Sequence, residues 1–408
     1  MGGKFEISKE LEHPVKKEDL VDRKPEWRDI LPYFTSVIFV VSIPIVYHIT
    51  GYHLLPIWIG YAVLPFIDLV AGNDNSNVSK KFEEAFEKDW RFLIPMYTLF
   101  ICDFLIYIWG VYLIAFKEPE ITKEMIIIMF CMAHSSGFTG LMGHELFHRR
   151  FWLHKLVGTI SMCKFFYGHF VMEHCAGHHI NVGTVEDPAT ARRGESYYKF
   201  LFRSSLSGIK DAFNREVERA ERWGHSGYGL YNKVIFLTAC QTFWILLMIY
   251  FFGQRMILLH LIYILLPIAL LEGANYVEHY GIERKKINKN YYESINHLHS
   301  WNTPQKVTNY LSFRLQRHSD HHVHSYRPYQ TLRSYEVSPQ LPFGYETCIT
   351  MSLIPSLWFK VMNPKVDALN LGKVVNPKKA EKNARIGHYF VIIKGIVLTA
   401  VFLIISNI

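Results

Sequence analysis

The sequence predicts an all-α, polytopic membrane bundle carrying a histidine-rich cap on its cytoplasmic side, and three observations carry that expectation. Half of the 408 residues are apolar and the mean hydropathy is +0.07, too oily for an ordinary soluble chain of this length. Apolar runs of membrane-crossing length recur along it. Lysine and arginine, 44 against 36 acidic residues, concentrate in the longer polar stretches between those runs, as the positive-inside rule describes. Disorder is excluded, and the net charge of +8 belongs to membrane flanks rather than to a nucleic-acid surface.

The first 30 residues mix both charges and hold no signal-peptide core, so they read as a retained aqueous segment. Crossing a hydrocarbon core takes about 20 apolar residues. Such runs lie at 31–50, 52–72, 93–116, 124–143, 233–252 and 256–276, with a seventh at 387–406. Thr50-Gly51-Tyr52 joins the first pair, Lys117 to Lys123 the second and Gly253-Gln254-Arg255 the third. Six transmembrane helices in three hairpins follow, plus a C-terminal seventh. The outer turns hold only Lys117, Lys123 and Arg255, which places the segments 73–92, 144–232 and 277–386 in the cytoplasm. Aromatics and leucines recur through 150–205 and 291–360, which predicts a folded helical cap. The chain thus divides into an N-terminal segment (1–30), a main membrane unit (31–365), a basic tether (366–386) and a C-terminal apolar segment (387–408).

Histidine is the oddity: 21 residues, against 6 cysteines with no CxxC pair. Neither a disulfide framework nor a thiolate metal centre is legible. The histidines cluster instead. His144-Glu145-Leu146-Phe147-His148 puts two imidazoles at i and i+4 on one helix face. In Glu173-His174-Cys175-Ala176-Gly177-His178-His179, an α-helix would place His174 with His178 and turn His179 away. The third cluster is His318-Ser319-Asp320-His321-His322, with His318 and His322 on one face and His321 near enough to join either. His279 ends the sixth apolar helix in Asn275-Tyr276-Val277-Glu278-His279-Tyr280-Gly281. Nine imidazoles exceed the three or four protein ligands of one zinc ion, so two metal ions are expected. An all-nitrogen site with nearby carboxylates favours iron in oxygen chemistry. His134, His169, His260, His297, His299 and His324 are expected in structural or supporting roles.

These motifs, with Asp187-Pro188-Ala189-Thr190 and His299-Ser300-Trp301-Asn302, resemble those of the integral-membrane alkane hydroxylases, the alkane 1-monooxygenases, and of the related xylene monooxygenases. The likeness runs from about residue 30 to 365, and the NYVEHYG element is specific to that branch of the membrane desaturase and hydroxylase superfamily. It implies a non-haem diiron centre at the cytoplasmic helix ends and terminal hydroxylation of medium-chain hydrocarbons with O2. The implied ligands are His144, His148, His174, His178, His179, His279, His318, His321 and His322. The electron donor implied is a reduced rubredoxin or ferredoxin fed by an NAD(P)H-dependent reductase. The membrane is a bacterial inner membrane, or one of endoplasmic-reticulum type in a eukaryote. The seventh apolar segment and the lack of a fused electron carrier depart from the family pattern.

An unactivated C–H bond gives general acids and bases no purchase, so a metal oxidant must carry that step. Carboxylates fix each imidazole tautomer by accepting its other N–H; Glu145, Glu173, Glu278, Asp187 and Asp320 are the candidates. Glu278 and Asp187 are the two singled out as catalytic, with direct approach to the metals open to both. An apolar substrate is selected by the shape of its channel. The small residues Ala133, Ser135, Ser136, Gly137, Gly140 and Gly143 before His144 allow either a groove for such a chain or close helix packing, and Gly60 is a second place where bulk would shorten a channel. Arg149, Arg150, Lys155, Arg192 and Arg193 offer a basic face for an acidic carrier, or contacts to anionic lipid. Three other readings compete: a membrane fatty acyl desaturase or hydroxylase, a zinc metalloprotease built on the HELFH motif, and a non-catalytic metal-binding or transport protein.

Overall fold

A computed structural model describes residues 19–117, 120–289, 291–371 and 377–407. Most of the proposed N-terminal segment, 1–18, and the middle of the proposed tether, 372–376, lie outside the described residues. Helices α1 (Trp27–Ile49), α2 (Leu55–Ala71), α3 (Trp90–Lys117) and α4 (Lys123–Phe147) form the first two hairpins. α5 (Trp152–Cys163) and α6 (residues 170–181) follow, then the long amphipathic α7 (Tyr197–Arg222). α8 (Lys233–Phe252) and α9 (Arg255–His279) make the third hairpin, turning at Gly253, whose φ of 84° suits glycine. The short α10 (Lys306–Leu311), α11 (His318–Val323) and α12 (Tyr345–Ser352) build the cap. α13 (Pro355–Leu371) and α14 (Pro377–Asn407) close the chain.

All seven apolar runs are helical, and six of these helices are long and apolar enough to cross a membrane: the chain is a multi-pass membrane protein. The exception is α2. Its 17 residues rise about 26 Å at the usual 1.5 Å each, and a π-helical stretch at Ile59–Val63 interrupts it. The tether expected at 366–386 is helical at both described ends, inside α13 and α14.

The segment 144–232 does not all lie in the aqueous cap. Gly143 abuts Ser161, Gly158 abuts Phe147, and Gly140 abuts Phe165, so α5 runs antiparallel back along α4 into the bundle. Its tip carries Lys164, paired with Asp103 of α3, which also accepts from Ser135 of α4. Ser135 lies twelve residues before the end of α4, about 18 Å along the helix axis. Phe166 takes a left-handed φ of 62° to reverse the chain there, a strained conformation for a bulky residue. A stretch this short and half polar carries no membrane signal in a hydropathy window.

The cap is pinned to the bundle by buried cations. The Arg317 guanidinium donates to the carbonyl oxygens of Ser76, Leu332 and Asp74, and Arg314 pairs with Asp74 at 3.0 Å. The α2–α3 connection and residues 302–345 thereby form one layer above the helix ends. Tyr33, Phe92, Phe313 and Tyr329 stack beneath it as a buried aromatic cluster. This layer fixes the height at which α11 meets the ends of α4 and α9.

Candidate metal centre

Four chain segments converge: the end of α4, the turn in α6, the end of α9 and α11. Their nine histidines sort into two adjoining groups. One holds His144, His148, His174, His179 and His321; the other holds His178, His279, His318 and His322. Within each, every residue offers a ligand atom within 4.8 Å of the others. The Nε2 atoms of His144 and His174 are 2.8 Å apart, those of His179 and His321 3.1 Å, and those of His318 and His322 3.0 Å. The groups touch where the His179 and His322 rings stand 4.5 Å apart between centroids.

The sorting departs from the α-helical expectation at one place. His174–His178 is a π-helical turn, whose wider i→i+5 repeat aligns His174 with His179 and sends His178 to the other group. Gly177 lies in this turn with α7 packed close upon it: a Cβ there would lie 2.5 Å from Asp211 Oδ2. On α11 the i, i+4 pairing of His318 with His322 holds as expected, and His321 joins the first group.

This arrangement suits metal binding rather than proton storage. Burial and, after it, the neighbouring imidazoles hold His174, His179, His318 and His322 well below the usual histidine range, and burial pushes His321 down to about 3. Neutral rings are what a metal needs. His148 Nε2 and His178 Nε2 are buried with no hydrogen-bond partner, a cost that metal ligation removes. Two groups of imidazoles, each closing on one point, fit two metal ions, and soft thiolate ligands are absent from both.

The carboxylates divide by position. Glu278 Oε2 lies 3.3 Å from His318 Nε2, beside the four-histidine group. Asp187 stands behind His178, accepting from its Nδ1 at 2.9 Å, while Thr190 Oγ1 and the Ala189 N–H occupy its remaining lone pairs. It holds the ring and does not face the cluster directly. Asp320 is turned outward to His324, Arg327 and the Arg333 N–H. Burial alone would raise its carboxyl, but His297, His324 and the Arg327 guanidinium outweigh it and hold it well below the usual range. Glu145 also faces away, accepting from Arg149 at 2.8 Å and from the Tyr329 N–H at 3.1 Å, so it is not placed as the general base that a metalloprotease requires. Glu173 is buried with Oε1 unpartnered, and burial followed by the Asp187 charge pushes it well above the usual carboxylate range.

A narrow apolar cavity of about 90 Å³ lies between α1, α2, α4, α9, α10 and α12, and Gln316 in its wall stands two residues before His318. Gly60 and Gly137 both line it, with Tyr345 and Gln316 at the cap end and Phe39, Tyr61 and His134 deeper in the bundle. Gly137 borders the cavity, while Gly140 and Gly143 let α5 and α9 close in. The expected basic face is not one free surface. Arg149 is tied to Glu145, Arg193 to Asp367 at 2.5 Å, and Arg150 lies over the Tyr326 ring.

None of the six histidines set apart above enters either group. His134 meets Tyr61 at 2.7 Å and His260 meets Tyr107 at 3.0 Å, while His297 and His324 gather with Asp320 in a third, partly exposed group. Thr190, Arg327 and Arg333 are supporting residues that sequence reading passed over. The Asp-x-x-Thr spacing of Asp187-Pro188-Ala189-Thr190 was the available signal for the first.

Fold and site together define a multi-pass membrane protein with a histidine-rich candidate metal site. Residues 124–351 match the fatty acid desaturase family. The alkane 1-monooxygenase of Pseudomonas putida is 32% identical over 366 residues, 86% of this chain and 89% of its own length. Alkane 1-monooxygenase 1 of Pseudomonas aeruginosa is 34% identical over 77% of this chain and 82% of its own. The hydroxylase component of xylene/toluene monooxygenase from Pseudomonas putida is 26% identical over 83% and 89%. The chain belongs to the fatty acid desaturase family and, within it, to the alkane 1-monooxygenases.

Proposed function

We propose that this protein is a non-haem diiron monooxygenase that converts medium-chain alkanes or similar hydrocarbons to primary alcohols, using O2 and electrons from a rubredoxin- or ferredoxin-type carrier. The observation that carries the reading is the meeting of a five-histidine and a four-histidine group in a bundle that also encloses an apolar cavity. His144, His148, His174, His179 and His321 would hold one iron; His178, His279, His318 and His322, with Glu278 beside them, would hold the other. When bound, the irons supply the oxidant that inserts one atom of O2 into a C–H bond while the other leaves as water.

The chain's own residues do the rest. The cavity walls bind the substrate by shape and exclude water, so a chain end is presented at the Tyr345 and Gln316 end. Asp187 keeps His178 in the tautomer whose Nε2 is free to ligate, since its carboxylate accepts the Nδ1–H. Asp320 anchors α11 through Arg327 and the Arg333 N–H, which sets the angle of the neighbouring His321 and His322. The lysine and arginine excess of the cap-side segments supports a cytoplasmic orientation of the centre, in a bacterial inner membrane or a eukaryotic membrane of endoplasmic-reticulum type.

Metal analysis of the purified full chain tests the reading. About two irons per chain are expected; a single zinc would revive the protease reading, and bound iron with no O2 uptake on adding reductant and hydrocarbon would favour a storage or transport role.

A further inference from the structure

A second cavity, about 830 Å³, lies between α5, the histidine turn of α6, the end of α7 and the first turns of α8. Its cationic wall includes Lys155, Arg222 and Lys233, and its apolar wall includes Phe147, Phe236 and Leu237. Two further cations there are already matched: Arg215 by Asp211 at 2.6 Å and Arg219 by Glu216 at 2.7 Å. The side chains of Lys155, Arg222 and Lys233 form no ion pair among the described residues; Arg222 Nε donates to the Glu218 carbonyl oxygen at 3.3 Å, and the Glu218 carboxylate is the one acidic group of the wall not matched to an arginine.

Its depth in the membrane is legible. Lys233 is the first residue of α8, a span of which only 17% is buried within the protein, so Phe236 and Leu237 begin a lipid-facing surface. Trp223 and Tyr228, on the connection from α7, stand 71% and 74% exposed, as aromatics do in the belt at headgroup height. A basic recess at that height, continuous with an apolar wall running into the bilayer, has the chemistry of an anionic lipid site.

We propose that this cavity binds an anionic phospholipid. Lys155, Arg222 and Lys233 take the phosphate, and an acyl chain lies along Phe236 and Leu237. Cys175 and Ala176 form part of the same wall, so the lipid would brace the π turn that carries His174, His178 and His179.

The test is native mass spectrometry of the full chain, delipidated in detergent and re-supplied with phosphatidylglycerol or phosphatidylcholine. The unaltered chain should retain one phosphatidylglycerol in clear preference. Each interfacial cation contributes roughly 1 kcal/mol to anionic lipid binding, about fivefold, so K155Q/R222Q/K233Q should lose about 100-fold and the Lys→Arg variants should keep the preference. Metal content reports whether the triple variant is folded; if it is not, Lys155→Gln and Lys233→Gln alone, each expected to weaken retention about fivefold, decide the matter. Equal retention of both lipids, or an unchanged preference in the neutralised variants, overturns the proposal. So does a result in which the substitutions raise only the KM for a protein electron donor, which would make this wall a protein-docking surface.

Discussion

His174 and His179, five residues apart, bring their Nε2 atoms within 3.0 Å of each other, while His178, one position nearer, turns to Asp187 and the neighbouring group. The π turn is what divides three successive imidazole donors between two metal positions. Deleting Ala176 should restore α-helical spacing, leaving His179 at i+4 from His174 on the same face and drawing His178 to i+3, out of the second group. Metal per chain should then fall from about two to one or fewer, read by elemental analysis, with the spans still helical by circular dichroism.

Asp187 and Glu145 make a contrasting pair. Asp187→Ala removes the acceptor that fixes the His178 tautomer and should lower metal affinity or turnover by about 10- to 100-fold. Glu145→Gln should leave metal affinity within a few fold, since that carboxylate serves Arg149 and Tyr329. Titration of the metal-free variants with iron distinguishes the two.

Gly60 and Gly137 line one apolar cavity from opposite helices. Even a methyl group at Gly60 would press on Phe39 at 3.2 Å, and one at Gly137 on Leu270 at 3.0 Å. Gly60→Trp and Gly137→Phe should shift products toward shorter chains at normal metal content. A ladder of n-alkanes analysed by gas chromatography reads the shift, and an unchanged profile in both variants would remove these residues from the channel.

The seventh long helix is part of the bundle's brace. Lys394 of α14 reaches both carboxylate oxygens of Glu346, at 2.6 and 2.8 Å, and Glu346 lines the same cavity. Lys394→Met leaves that carboxylate uncompensated and should cost about 3–5 kcal/mol, seen as a lower Tm in detergent. Adding Glu346→Gln should recover most of the loss.

Acid should release the centre. In the fold the His321 imidazole is pushed down to about 3 by burial, whereas the unfolded ring titrates near 6.5. The unfolded chain therefore binds more protons between those values, so stability is full above about 6.5 and declines as pH falls toward 3. The Tm of the metal-free protein should drop steadily from pH 7 to pH 5.

Much of this was legible in the sequence because hydropathy and the i, i+4 rule report local periodicity. The seven apolar helices and the shared depth of His144, His148 and His279 follow from that, whereas the fuller set with His318 came from the resemblance of the motifs. The partition at His174 to His179 does not, because it rests on a π turn that the spacing of the histidines does not announce. The re-entrant α5 escaped for a similar reason: its burial depends on Gly143 and Gly158 meeting face to face and on Lys164 finding Asp103. The outward turn of Glu145 depends on Arg149 and on Tyr329, 184 positions away.

The most direct measurement is mass spectrometry of the product formed from n-octane by the reconstituted protein under 18O2 with a reduced carrier. The account predicts 1-octanol carrying one 18O atom. Unlabelled alcohol, or turnover of fatty acyl chains to desaturated products with no octanol formed, would contradict it.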